Sequence, residues 1–252
     1  MRVLDLFSGI GGFSLGLERA GMRTVAFCEI EDFPRRVLAK HWPEVPIYRD
    51  IRDLTAKRLS GDGITVDLVC GGFPCQDIST ASDAPAGLAG ARSGLWREYA
   101  RLVGELRPKF VVVENVSALT HNGLGDVLGD LAAIGYDAEW HCIPASSIGA
   151  PHPRDRIWIV AHSPQVQWKE QCRDQQGRLL QSNGSRTIVD DERRRNGVSD
   201  WWTTEPVVGR LVHGVSSRVD RLGCASNAVV PMISEMIGRA IMSVVKSETQ
   251  AA

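Results

Sequence analysis

The run DLFSGIGGFSLGLERAG, residues 5–21, packs a strand, a glycine turn and a helix into one short stretch. Val3–Leu6 leads in as a buried strand. Phe13, Leu17 and Ala20 then recur at helical spacing until Gly21 stops the helix. Gly9, Gly11 and Gly12 let the backbone turn tightly and approach a ligand, and the helix N-terminus offers free N–H groups. Thr24–Cys28 reads as the next strand and ends at Glu29, where an acid can take both hydroxyls of a nucleoside ribose. Position 14 is serine, so the spacing is not G-x-G-x-x-G and a dinucleotide is disfavoured. The same residues would also serve a purely structural turn with a surface glutamate.

Outward from this unit the pattern keeps alternating. A helix is predicted over 32–41, a short strand ends in PIYRD at Asp50, and Val66–Cys70 is a further strand. A Gly/Ala/Ser-rich loop then runs to Gly94, followed by a helix over 95–106 and strands at Phe110–Val113 and Ile157–Ala161. Strands alternating with helices predict an α/β fold with a mostly parallel sheet covered on both faces. The character changes after Ser163. Residues 164–200 are rich in Gln, Arg, Asp and Asn, with DDERRR at 190–195, and read as a solvated insertion. Apolar order returns at Trp201-Trp202, and a helix is predicted from Val229 to about Val245, with Pro231 in its first turn.

Composition narrows the function classes. The chain has 252 residues, 43% hydrophobic and 23% charged, enough for one sizeable core and an appendage. Its net charge of −1 means that a nucleic-acid partner must be held by a local basic surface. The six cysteines (28, 70, 75, 142, 172, 224) form no C-x-x-C and no histidine-paired spacing, so neither a metal site nor a disulfide framework is expected. The start MRVLDLFSG leaves no room for a signal peptide, and no apolar run has membrane-spanning length. The expectation is a reduced, soluble, cytoplasmic chain with no membrane partner.

Three further stretches carry chemistry. In GGFPCQDIS, residues 71–79, the chain leaves a buried strand through two glycines and stiffens at Pro74, which presents Cys75 in a fixed direction. A lone cysteine is ordinarily a small core residue, so this position needs company to be read as a nucleophile. FVVVENV, residues 110–116, puts Glu114 straight after a strand on the same sheet edge, with Asn115 available to hold its orientation. In PHPRDRIWIVAH, residues 151–162, Arg154 and Arg156 are two apart and would point the same way in an extended chain. Paired guanidiniums suit a phosphate or a base carbonyl. Asp50 could accept from an exocyclic amine or simply cap the next helical turn.

Taken in order, D-L-F-S-G-I-G-G-F, G-G-F-P-C-Q, E-N-V, P-R-D-R-I and a late S-N-A-V-V-P resemble the motif series of the DNA cytosine-5 methyltransferases. The resemblance covers residues 1–162 and roughly 218–245. It implies the Rossmann-like fold of S-adenosylmethionine-dependent methyltransferases. Residues 1–162 would be the catalytic and cofactor-binding domain, 163–222 a short, irregular target-recognition region, and 223–252 a C-terminal helix returning to the catalytic domain. It implies that Phe7, Ser8, Gly9, Gly11, Gly12, Glu29, Ile30, Asp50, Ile51, Pro74, Leu95, Asn227 and Val229 hold S-adenosyl-L-methionine. Cys75 becomes the nucleophile, Glu114 its acid partner, and Arg154 and Arg156 contacts to the target base and its surroundings. The implied partner is double-stranded DNA, with a cognate restriction endonuclease as a functional but not physical partner.

Two departures stand out. Ser226 occupies the place of the family's usual glycine, and the arginine-bearing motif before it has only Arg218 and Arg221 as candidates. The 163–222 segment is also short for the family. That shortness keeps a tRNA cytosine-5 methyltransferase of the same fold as an alternative. A catalytically silent cofactor- or DNA-binding regulator is a second, although such a protein has no need of Cys75, Glu114 and both arginines. A dehydrogenase is the weakest, given the glycine spacing.

Overall fold

A computed structural model describes residues 1–74, 94–150, 152, 154–166 and 227–251. Cys75, the 76–93 loop with Arg92, most of the 163–222 segment with Arg193, Arg194, Arg195, Arg218 and Arg221, and Ser226 lie outside the described residues.

The chain opens with β1 (Arg2–Leu6), α1 (Gly12–Arg19), β2 (Arg23–Cys28), α2 (Asp32–His41), β3 (Ile47–Tyr48) and α3 (Ala56–Gly61). It continues with β4 (Leu68–Gly71), α4 (Gly94–Leu106), β5 (Phe110–Val116), α5 (Leu124–Ala133), β6 (Asp137–Pro144) and β7 (Asp155–His162). The last element is α6 (Pro231–Ala251). The strands form one seven-stranded sheet in the order β3-β2-β1-β4-β5-β7-β6. β1 to β5 pair in parallel, whereas β7 runs antiparallel to both β5 and β6. The central strands are apolar because both their faces are covered. Leu68, Val69 and Cys70 of β4 and Phe110 to Val113 of β5 are all buried.

Each face has its own core. Leu59, Trp96, Tyr99, Leu102, Val103, Val127 and Leu131 bring α3, α4 and α5 onto one side. Phe13, Leu17, Ile233, Ile237, Ile241 and Val244 bring α1 and α6 onto the other. α1 and α6 meet closely because small residues line their contact. A Cβ on Gly16 would overlap Ser234 Oγ and the Pro231 carbonyl, and one on Gly238 would lie 2.8 Å from Ala20 Cβ.

The strand order reverses between β1 and β4, since the chain grows outward through β2 and β3 and then returns to the other side of β1. In open α/β sheets, the crevice beyond the carboxyl ends at such a reversal is the ligand site. Here it lies between Phe7-Ser8-Gly9, which follow β1, and Gly72-Phe73-Pro74, which follow β4.

Several expectations need adjustment. β5 runs on to Val116, so Glu114 lies inside the strand, opposite Trp158 of β7, and does not follow it. The antiparallel neighbour β7 supplies the pairing that prolongs it. α3, α5 and β6 add to the elements predicted; of these α5 does carry a helical signal, with Leu124, Val127, Leu128 and Leu131 at i, i+3, i+4 and i+7. β6 is an edge strand, and its partial exposure blurs any alternation. Among the described residues, no helix is long and apolar enough to cross a membrane, and no group of His, Cys, Asp and Glu could hold a metal ion.

Candidate active site

The glycine turn after β1 has an unusual backbone. Phe7, Gly9 and Gly11 have φ of 52°, 53° and 86°. A non-glycine residue such as Phe7 in the left-handed region is strained, and such residues concentrate at functional sites. The Phe7 ring stacks on Tyr99 of α4 with a centroid separation of 6.4 Å. Ser8 is turned into the protein. Its hydroxyl donates to the Asp5 carbonyl at 2.6 Å and accepts from Cys28 N–H at 3.2 Å, which staples the ends of β1 and β2.

Glu29 closes the turn. Its carboxylate accepts from Gly9 N–H at 2.7 Å and from Glu31 N–H at 2.8 Å. A Cβ placed on Gly9 meets nothing within 4 Å, so this side of the turn is open. Gly11 is glycine for a different reason: a Cβ there would lie 2.7 Å from the Trp42 ring, whose Nε1 donates to the Glu18 carboxylate at 3.0 Å. α1 starts without a side-chain cap and without an acid in its first turn, so its amino end keeps its attraction for an electron-rich group.

The outer wall comes from β2 and β3. Ile30 is an exposed apolar residue at 53%, suited to cover one face of a flat ring. Asp50 caps the turn that follows β3, accepting from Arg52 N–H at 2.9 Å and pairing with the Arg52 side chain at 2.5 Å. This arginine holds the Asp50 carboxyl below its ordinary range. The capping role is thus realised. Ile51 is buried in the core, so only its backbone faces outward contacts; its carbonyl accepts from Arg101 Nη2 at 2.9 Å. Leu95, in the first turn of α4, packs against the same core.

The carboxyl end of β4 explains the GGFP sequence. A Cβ on Gly71 would overlap the Leu6 carbonyl, and one on Gly72 would lie 2.8 Å from Glu114 Oε2. The first glycine lets β4 pass β1, and the second makes room for a carboxylate. Asn115 does not hold Glu114, as the sequence suggested. Its Oδ1 accepts from Val116 N–H at 2.8 Å, and its Nδ2 donates to the Phe73 carbonyl at 3.1 Å. The reason is strand geometry: successive residues of β5 point to opposite faces. Pro74 is the last described residue before Cys75.

Glu114 is 8% exposed and meets Arg156 Nε at 3.0 Å. Burial pushes its carboxyl above the usual range, while the Arg156 and Arg154 guanidiniums pull it back. Such a carboxyl can hold a proton nearer neutrality than an exposed one. The two arginines do share this neighbourhood, but not through extended spacing. Arg154 precedes β7 and has φ of 20°, so its backbone is not extended. Its Nη2 donates to the Ala228 carbonyl at 2.7 Å. That contact brings the segment before α6 to the site, with Asn227 exposed and Val229 beside the glycine turn. A Cβ on Gly12 would lie 2.6 Å from the Val229 carbonyl.

Of the expected site residues, the fold brings Glu29 onto Gly9 of the glycine turn, and Arg156 onto Glu114, whose charge also acts on Arg154. Ser8, Gly12 and the side chain of Ile51 also make internal contacts: Ser8 with the Asp5 carbonyl, Gly12 against Val229 and Ile51 in the core. Asn115 as a tether, Trp42 behind the glycine turn and the Ala228 carbonyl were not foreseen. No spacing rule marks them, because each acts on a residue distant in sequence.

The residues of the glycine turn could hold a nucleoside. The turn shows an open face at Gly9, a buried carboxylate at Glu29 and an exposed apolar side chain at Ile30. The profile of the family described as C-5 cytosine-specific DNA methylase matches residues 1–205. The type II methyltransferase M2.BsuMI of Bacillus subtilis is 35% identical over 169 residues, covering 64% of this chain and 42% of that protein. The type II methyltransferase M1.HphI of Haemophilus parahaemolyticus is 36% identical over 169 residues, covering 62% and 44%. The chain therefore spans under half the length of these relatives. Among solved structures, a protein described as a DNA modification methyltransferase encoded within an Escherichia coli prophage superposes with a TM-score of 0.56. It is 29% identical, and the match covers 66% of this chain and 47% of that one. A DNMT2 variant from Spodoptera frugiperda superposes with the same TM-score of 0.56 at 20% identity, over 67% and 51%, a likeness of fold.

Proposed function

Because the chain belongs to the C-5 cytosine-specific DNA methylase family, we propose that it transfers a methyl group from S-adenosyl-L-methionine to C5 of cytosine in double-stranded DNA. The observation that carries this reading is Glu114. A buried carboxyl faces Arg156 on one side and, on the other, the glycine step two residues before Pro74-Cys75.

Bound S-adenosylmethionine supplies an electrophilic methyl group on sulfur. The chain's own residues do the rest. Glu29 takes the ribose hydroxyls, Ile30 covers the base, and the Phe7–Gly12 turn with Asn227 and Val229 surrounds the amino-acid arm. Asp50 and Ile51 contribute at the base edge, and Pro74 and Leu95 at the methyl side.

C5 of cytosine is a poor nucleophile. Addition of the Cys75 thiolate to C6 places electron density on C5, dividing one hard step into easier ones. Glu114, holding a proton, bonds N3 as negative charge develops on the ring. Arg156 holds Glu114 in place and offers a donor to the base carbonyl. After methyl transfer, the C5 proton is removed and its electron pair restores the double bond as Cys75 departs. None of this is possible in a stacked duplex, so the cytosine must flip out, at a cost of a few kcal/mol. Residues 163–222 are the target-recognition region in this reading, and the cytoplasm is its compartment.

The test uses fluorine, which cannot leave C5 as a cation. Duplex DNA carrying 5-fluorocytosine, incubated with the protein and S-adenosylmethionine, should yield an adduct stable to denaturing electrophoresis. Cys75→Ser should abolish it, because a serine hydroxyl is barely ionised near pH 7. Wild-type protein that binds both cofactor and DNA yet gives no adduct would refute the reading.

A further inference from the structure

The segment that leads into α6 reaches the glycine turn after a long excursion of the chain. On the turn side its anchors are plain. Ser234 Oγ donates to the Gly12 carbonyl at 3.3 Å and to the Pro231 carbonyl at 2.9 Å. The Val229 carbonyl stands where a Cβ on Gly12 would go. These contacts hold the stretch from Val229 to Ser234. Ala228 is held by Arg154, whose Nη2 donates to its carbonyl at 2.7 Å across 74 positions of sequence.

We propose that Arg154 is a positioning residue for the cofactor pocket: its guanidinium pins the Ala228 carbonyl and so sets Asn227 and Val229 against the Phe7–Gly12 turn. The inference rests on the cofactor reading above and adds a role that a base contact alone would not give. A guanidinium suits the task because it is planar and always charged, and can direct one N–H at a carbonyl while its charge faces a carboxylate. Glu114 is that carboxylate, since its charge acts on Arg154 and the Arg154 charge acts on it. One side chain therefore touches the wall of the cofactor pocket and the field of the acid that meets the base. Burial and the neighbouring Arg156 both work against the charge of Arg154, so the carbonyl contact also relieves a cation that is half out of water.

The experiment is calorimetric titration of S-adenosylmethionine into the full chain without DNA, so that no base contact contributes, with thermal melting of the same samples. Arg154→Ala should bind the cofactor about tenfold more weakly, equivalent to about 1.4 kcal/mol. Arg154→Lys, which keeps the charge but not the fork, should fall between it and wild type. The cofactor-free melting temperature should stay near that of wild type while the shift produced by the cofactor shrinks, a difference that a merely structural role would not produce. If Arg154→Ala does not melt cooperatively, Arg154→Lys alone decides, with weaker binding expected. Wild-type affinity in every folded variant would overturn the inference and leave the cofactor reading intact. Failure of the wild-type chain to bind S-adenosylmethionine would remove both.

Discussion

The buried amide of Asn115 donates to the Phe73 carbonyl at 3.1 Å, tying the carboxyl end of β5 to the turn that ends at Pro74. The residue after Pro74 is the proposed nucleophile, so this bond sets the base of the arm that presents it. Asn115→Ala would leave the Phe73 carbonyl without its donor, at a cost of about 1–3 kcal/mol. Single-turnover methyl transfer should slow while calorimetric affinity for S-adenosylmethionine stays near wild type. Equal rates in both proteins would show that the tether is dispensable.

Burial raises the Glu114 carboxyl, and the Arg156 guanidinium beside it opposes that rise. Removing the guanidinium in Arg156→Ala should raise the Glu114 carboxyl further and move the matching limb of the pH–rate profile to higher pH. The rate itself should drop by about 10²–10⁴, the range for a misplaced general acid. A limb that does not move would mean that another group titrates there.

Glu29 has a structural duty besides the proposed ribose contact, since its carboxylate accepts two backbone N–H groups. Alanine would lose the turn along with the ligand contact, so glutamine is the cleaner probe. Glu29→Gln should weaken S-adenosylmethionine binding by about 1.5–3 kcal/mol, as for a hydrogen bond to a charged group. Unchanged affinity by calorimetry would remove Glu29 from the site.

Asp5 is fully buried beneath the same turn, accepts from Ser14 Oγ at 2.7 Å, and is pushed up to about 7, chiefly by burial. A carboxyl raised on folding binds more protons in the folded chain than in the unfolded one. Its stabilising contribution is therefore complete below the ordinary carboxylate range and is lost as pH rises toward 7. Asp5→Asn should flatten this dependence between about pH 4 and 7, measured by urea unfolding at several pH values. Parallel curves for the two proteins would contradict it.

The α1–α6 contact leaves no room for a methyl group at Gly16. Gly16→Ala should gain slightly in helix propensity but lose about 1–3 kcal/mol or more through overpacking against Ser234 and Pro231. A fall in melting temperature together with weaker cofactor binding is expected, because the segment carrying Val229 shifts with α6. A rise in melting temperature would show that the helices separate freely.

Much of this architecture is local and therefore legible in sequence. The β1–α1–β2 unit, the helix at 32–41, the apolar cores of β4 and β5, and the acid at Glu29 each follow from periodicity and glycine placement within a short window. The order of the motifs likewise points to the family from sequence alone. What tertiary structure decided is which distant residues meet. Gly72 reads in sequence only as part of the exit from a strand, yet it is required because Glu114, from another strand, occupies the space a side chain would need. Asn115 next to Glu114 looked like its partner, but the alternating pleat of β5 sends it to Phe73 instead. Arg154 and Arg156 looked like a pair in one extended run. They converge on Glu114 only because β7 returns antiparallel beside β5, and one of them reaches across to Ala228. Periodicity reports which face of an element is buried, whereas the partner across that face is fixed only when the chain closes on itself.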